Sequence, residues 1–237
     1  MDFLDFKLPT PIYKFDKNDL QHIYEPSEDT FLFMDALELE KSFIKTLEPT
    51  IILEIGSGSG VLTTFLALNF DLDNTHFMAT DINPLACVKT SETIHLNYSQ
   101  LPLKVKRPKV SIFIDDLAQS IIDRLNYNID MIIFNPPYVP THDITDNGQS
   151  GDFNIINRSW AGGLNGSEII FKSLDNITRL LTHNGIFYLL LCADNDIDNI
   201  KNYIKNKFHF NSCIVLKRRA INEILYIVKF YKTHPFM

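Results

Sequence analysis

Ile51-Ile52-Leu53-Glu54-Ile55-Gly56-Ser57-Gly58-Ser59-Gly60 is the stretch that decides the fold. A short β-branched run ends in glycines at alternate positions and opens onto a segment of helical period, so it reads as strand, tight turn, helix. Glycines there let the backbone turn sharply and come close to a ligand, with the N–H groups of the helix start facing it. Outward from this unit the same alternation repeats, which is the pattern of a parallel sheet covered on both faces. Strands are predicted over residues 51–55, 76–80, 110–114, 129–134, 185–192, 212–217 and 223–231, and helices over 27–47, 60–70, 84–96, 117–126, 167–182 and 196–207. Pro84 suits the first turn of its helix and Asn83 can cap it. His183-Asn184-Gly185 reads as a helix stop before the fifth strand. The last two strands are close enough in sequence to form an antiparallel hairpin.

Residues 1–22 give no firm assignment. Residues 139–160 read as a loop of roughly 20 residues, long for a compact domain, and its departure from Tyr138 suits a substrate lid or docking loop, with disorder as the alternative. The chain has 237 residues and a formal charge of −7. That length fits one α/β domain, with residues 1–48 as an N-terminal extension and helix. The negative charge is a poor match for a protein that grips nucleic acid through phosphates, although Lys104-Val105-Lys106-Arg107 and Lys217-Arg218-Arg219 are local basic patches. Cys87, Cys192 and Cys213 show no CxxC spacing, so neither a metal site nor a disulfide framework is expected. A reduced, cytoplasmic setting follows, with a nuclear pool allowed. The start carries Asp2 and Asp5 and does not read as a signal peptide, and no apolar run reaches the roughly 20 residues that span a bilayer.

The glycine loop alone is shared by dinucleotide binders, methyltransferases and ordinary turns. Its spacing is GxGxG, different from the dinucleotide fingerprint, and no GxxxxGK[ST] loop is present. Thr80-Asp81 ends the second strand about 25 residues beyond Gly56, where an acid can accept from two ribose hydroxyls. Asp81 can also be read as a helix cap, a job for which Asn83 is better placed. Asp115-Asp116-Leu117 ends the third strand, where a carboxylate can accept from an adenine amino group and Leu117 can pack on the ring; a capping pair is an equal reading. Glu54 is an acid inside an apolar strand, which calls for a positive partner. These carboxylates suit S-adenosylmethionine, with its ammonium and sulfonium, better than the phosphates of NAD or ATP.

Asn135-Pro136-Pro137-Tyr138 follows the apolar run Met131-Ile132-Ile133-Phe134. The two prolines stiffen the loop, and a proline carbonyl is free to accept. The Asn135 side-chain oxygen and the Pro136 carbonyl can hold the two hydrogens of a planar –NH₂, and Tyr138 can cover its face. A plain Pro-Pro surface turn is the bland reading. Orienting an amide nitrogen toward a methyl donor can supply several kcal/mol, with about 7–11 kcal/mol as a ceiling.

Taken together these motifs resemble the class I methyltransferases that methylate glutamine in translation termination factors, in their eukaryotic and archaeal branch. The matching stretches are Tyr24-Glu25-Pro26-Ser27-Glu28-Asp29-Thr30-Phe31, residues 53–61, residues 80–84, Asp116-Leu117, residues 134–139 and Trp160-Ala161-Gly162-Gly163-Leu164-Asn165-Gly166, with a weaker echo over residues 218–230. The resemblance implies a seven-stranded sheet of order 3-2-1-4-5-7-6. It implies donor contacts at Thr30, Glu54, Gly56, Gly58, Asp81, Asp116, Leu117 and Asn135, and catalytic roles for Asn135, Pro136 and Tyr138. It further implies the glutamine of a GGQ motif as acceptor, S-adenosylhomocysteine as product, and a heterodimer with a small zinc-binding activator near Val110, Ile112, Phe113 and Ile114, a series that would invite aggregation if left bare. Thr30 by itself reads as a helix-start residue. The connection over residues 101–109 and the loop over 141–159 depart from the family pattern.

Two alternatives stand beside this reading. Adenine N6 or cytosine N4 presents the same planar amino group, against which stand the acidic charge and the lack of a further domain to flip a base. A scaffold with a degenerate donor site is the other. Lysine is ill-suited, because an ammonium must first lose a proton.

Overall fold

The computed structural model describes residues 8–141, 159–221 and 223–232. Seven strands form one sheet: β1 (Ile51–Ile55), β2 (His76–Asp81), β3 (Lys109–Ile114), β4 (Ile129–Phe134), β5 (Leu181–Cys192), β6 (Asn211–Arg219) and β7 (Ile224–Tyr231). Their order is β3-β2-β1-β4-β5-β7-β6, as the resemblance implies. The first five are parallel, and β7 runs antiparallel to both β5 and β6.

The apolar runs are buried on both faces because successive side chains point to opposite sides. Ile52, Ile133, Tyr188 and Leu190 pack in one core with helices α2 (Glu28–Leu39) and α4 (Val61–Asn69). Leu53, Ile132, Phe187 and Leu189 pack in the other with α7 (Glu168–Leu180) and α8 (Ile197–Phe208). Between them in sequence lie α3 (Lys41–Leu47), α5 (Pro84–Tyr98) and the short α6 (Ile122–Leu125), with the four-residue α1 (Asp19–His22) preceding them all. The sheet order reverses between β1 and β4, so a crevice opens beyond their carboxyl ends, the place where such sheets bind ligands.

Three predicted elements differ. The single helix over 27–47 is two, broken at Glu40 (φ −87°, ψ 1°). Glu40 accepts from the Tyr188 hydroxyl at 2.9 Å and pairs with Lys229, so tertiary partners on β5 and β7 hold the break. The helix over 117–126 shrinks to a 3₁₀ turn, Gln119–Ile121, and α6, because Leu117 and Ala118 both take left-handed backbone at φ 51° and 58°. The stop at His183-Asn184-Gly185 is displaced: α7 ends at Leu180, where Tyr127 and Asn128 donate to the carbonyls of Arg179 and Leu180. Leu181 already pairs with Ile129, and residues 182–185 are a bulge before pairing resumes at Ile186.

The stretch before α1 is fastened to α5. The Asn97 side chain accepts from Ile12 N–H at 2.9 Å and donates to its carbonyl at 2.7 Å. Lys89 lies 2.6 Å from both Asp19 and Glu92. These ties carry the chain to His22, Ile23 and Tyr24 at the edge of the crevice.

Candidate active site

A cavity of about 1000 Å³ fills the crevice, and its walls include every residue singled out above: Thr30, Glu54, Gly56, Gly58, Asp81, Asp116, Leu117, Asn135, Pro136 and Tyr138. The glycine loop makes one end. Gly56 and Ser57 donate to the Thr80 carbonyl, tying the turn between β1 and α4 to the end of β2. Gly60 sits at φ +75°, and a Cβ there would lie 2.6 Å from the Thr90 Cα, so α4 and α5 approach too closely for any side chain. A Cβ on Gly58 would meet nothing within 4 Å, which leaves that face of the loop open.

Asp81 accepts from Gly58 N–H and Asn83 N–H, each at 2.9 Å. Burial pushes its carboxyl up, and these two donors act against the shift. Asn83 is the cap of α5, accepting from Leu85 N–H at 3.0 Å, which leaves Asp81 to the cavity. Glu54 is 3% exposed. It accepts from Thr63 N–H at 2.9 Å and from the Thr63 hydroxyl, and burial still pushes it up to about 8. Asp115 is the capping member of its pair, holding Ser120 through N–H and hydroxyl. Asp116 instead faces Lys172 at 2.9 Å.

At the other end, Asn135 donates through Nδ2 to Asp29 Oδ2 at 3.0 Å, and its buried Oδ1 has no partner among the described residues. The Tyr138 hydroxyl lies 3.1 Å from Glu223. Burial, then the charges of Asp29 and Glu223, raise the Tyr138 phenol, so it stays neutral. Asp29 and Glu223 are themselves raised by burial. The Tyr138 carbonyl is held by Asn195 Nδ2 at 2.8 Å, and the same nitrogen reaches the Asn165 carbonyl at 3.0 Å. Gly166, at φ +65°, admits this packing because a Cβ would collide with the Tyr138 carbonyl. Thus the Trp160–Gly166 stretch braces the loop that carries Tyr138: Val139 N–H donates to Trp160 and Gly162 N–H donates back to Val139. Of the predicted lid, residues 142–158 lie outside the described residues.

Sequence reasoning missed Asp29, Glu223 and Asn195. Asp29 was inside the Tyr24–Phe31 motif, where only Thr30 was singled out; the other two carried no local signal.

Among the described residues of the wall there are seven carboxylates, a single lysine and no arginine, and the lysine is taken by Asp116. A wall so rich in carboxylates, four of them (Asp29, Glu54, Asp81 and Glu223) raised by burial, suits a cationic ligand and disfavours phosphate. Sheet order, glycine turn and acid-lined crevice together define a class I methyltransferase.

The human protein named Methyltransferase HEMK2 is 36% identical over 89% of this chain and 90% of its own length. A Schizosaccharomyces pombe protein named eRF1 methyltransferase catalytic subunit mtq2 is 33% identical over 90% and 91%. A solved E. cuniculi Mtq2, from a structure titled as an Mtq2-Trm112 complex for methylation of the eRF1 termination factor, superposes with a TM-score of 0.60. It is 27% identical and covers 89% of this chain and 99% of its own. No protein-family profile matches. The chain belongs to the HEMK2/Mtq2 methyltransferase family.

Proposed function

We propose that this protein methylates the side-chain amide of the glutamine in the GGQ motif of the class I translation termination factor, with S-adenosylmethionine as donor and S-adenosylhomocysteine as product. The observation that carries the reading is Asn135 Oδ1, a buried acceptor in the wall of an acid-lined cavity with no partner among the described residues. A buried polar atom left unpaired costs about 1–3 kcal/mol, which a ligand –NH₂ returns when it donates there.

The residues present fit the donor. Glu54, raised to about 8 with no cation beside it among the described residues, suits an ammonium group; Asp81 suits ribose hydroxyls; Asp116 and Leu117 suit the adenine; the open face of Gly58 leaves room for close approach. When bound, the donor supplies an electrophilic methyl on a sulfonium. Asn135 Oδ1 and the Pro136 carbonyl then accept the two hydrogens of the glutamine amide, and the Tyr138 ring lies along its plane. An amide lone pair is delocalised, so alignment rather than prior deprotonation makes nitrogen reactive. The proton becomes acidic only as nitrogen bonds the methyl carbon and the carbon–sulfur bond breaks, and it is then lost to solvent. No dedicated base is needed. Phosphate-bearing acceptors would meet the acidic wall, which disfavours adenine N6 and cytosine N4.

The activator reading draws support from the free edge of the sheet. On β3, Ile114 is 63% and Phe113 37% exposed, and Ile82 just before α5 and Leu85 and Val88 near its start are exposed as well. Cys87 Sγ lies 3.4 Å from the Phe113 carbonyl, so these two rows adjoin. A small zinc-binding subunit adding its own strand to this edge would cover the strip. The test is mass spectrometry of the GGQ peptide from the termination factor, incubated with the protein, the activator and donor, beside a DNA duplex in a parallel reaction. Methyl on the glutamine is expected. Methyl on the duplex alone would sink the reading.

A further inference from the structure

We propose that Asp29 is a positioning residue for the transfer: it decides which end of the Asn135 amide is left for the acceptor. The inference rests on the reading of Asn135 given above. Asp29 lies in the first turn of α2, 3% exposed, with both oxygens committed. Oδ1 accepts from Thr30 N–H at 2.7 Å and the Thr30 hydroxyl at 3.3 Å, and Oδ2 accepts from Asn135 Nδ2 at 3.0 Å. The two ends of a side-chain amide have nearly the same shape, so packing does not choose between them; the hydrogen-bond partner does. A carboxylate only accepts. It therefore draws the NH₂ end of Asn135 toward itself, and the oxygen is what remains for a donor in the cavity.

The isosteric change Asp29→Asn reverses this logic without opening a hole. Thr30 N–H still requires an oxygen, so the new amide turns its NH₂ toward Asn135. Asn135 must then offer its oxygen to position 29 and present its own NH₂ to the acceptor, donor against donor. Adding Asn135→Asp repairs the arrangement: the carboxylate at 135 accepts from position 29 with one oxygen and keeps the other for the acceptor. Asn135→Asp alone brings two carboxylates together at the site of the present 3.0 Å contact.

The experiment compares wild type, D29N, N135D and D29N/N135D, each with the activator, measuring kcat on the GGQ peptide and donor affinity by calorimetry. D29N should lose about 100-fold in kcat, the scale of losing one oriented hydrogen-bonding group, with donor affinity changed less than about threefold. The double variant should recover about tenfold or more over either single one. Wild-type turnover by D29N, or a double variant no better than both singles, overturns the inference. If D29N does not fold, N135D against the double variant decides the matter in the same way. A further arm needs no acceptor: in ¹⁵N-labelled protein the Asn135 NH₂ protons should exchange slowly, and D29N should shift them. Unchanged resonances would overturn the orientation argument even if the wild type methylated nothing, a result that would instead sink the proposed acceptor.

Discussion

At the glycine-loop end of the cavity the acids are held by partners from one continuous part of the chain: Asp81 by the N–H groups of Asn83, two residues on, and of Gly58, 23 residues back, and Glu54 by Thr63 nine residues on. At the Asn135 end the partners come from across the chain: Asp29 is 106 residues from Asn135, and Glu223 is 85 from Tyr138. The first end is a continuous β1–α4–β2 stretch that supplies its own donors. The second exists only when α2, β4 and β7 have assembled on one sheet. Donor binding and acceptor alignment should therefore fail separately.

The largest effect should come from Asn135→Ala. Turnover should fall about 10³-fold if, as proposed, alignment is the main rate term, while calorimetry finds donor affinity within a few-fold; equal losses in both would erase the division between the two ends. Asp81→Ala should do the reverse. Two hydrogen bonds to a charged group, each about 1.5–3 kcal/mol, predict a donor Kd weakened about 100-fold or more, with kcat at saturating donor far less affected.

Glu54 makes a smaller, pH-dependent test. Its folded carboxyl is raised from 4.5 to about 8. The folded state therefore holds a proton that the unfolded chain releases, and this stabilisation is full below about pH 4.5 and is lost as pH rises through about 8. Melting curves should show wild type losing ground to Glu54→Gln across that window. A cationic donor favours the ionised form, so its binding near pH 7 should release about one proton, visible as heat that varies with buffer and absent in the variant. Smallest of all, Tyr138→Phe removes the hydroxyl contact with Glu223 and keeps the ring, and should cost only a few-fold in kcat, about 1 kcal/mol. A collapse comparable to Asn135→Ala would assign the phenol a chemical role.

This division also explains what could be read from the residues. Gly56, Gly58 and Asp81 announce themselves because turn chemistry and strand ends are local properties. The split at Glu40 does not, since it is held by Tyr188 and Lys229, and neither does the left-handed backbone of Leu117 and Ala118, an apolar pair with no turn signature. Gly185 misled for a related reason: partners on Tyr127 and Asn128 end α7 before any helix-stopping residue is reached. Asp29 looked like a member of a helix start, and only the fold reveals that it faces Asn135.

The parallel bridge between Val139 and Ala161 has an evolutionary corollary. It pins the departure and return of the chain side by side, so the connection between them bears no duty in spacing the sheet. Doubling the length of such a connection costs only about 0.6 kcal/mol in closure entropy. Lineages can therefore lengthen, trim or rewrite it while the tyrosine beneath stays in place.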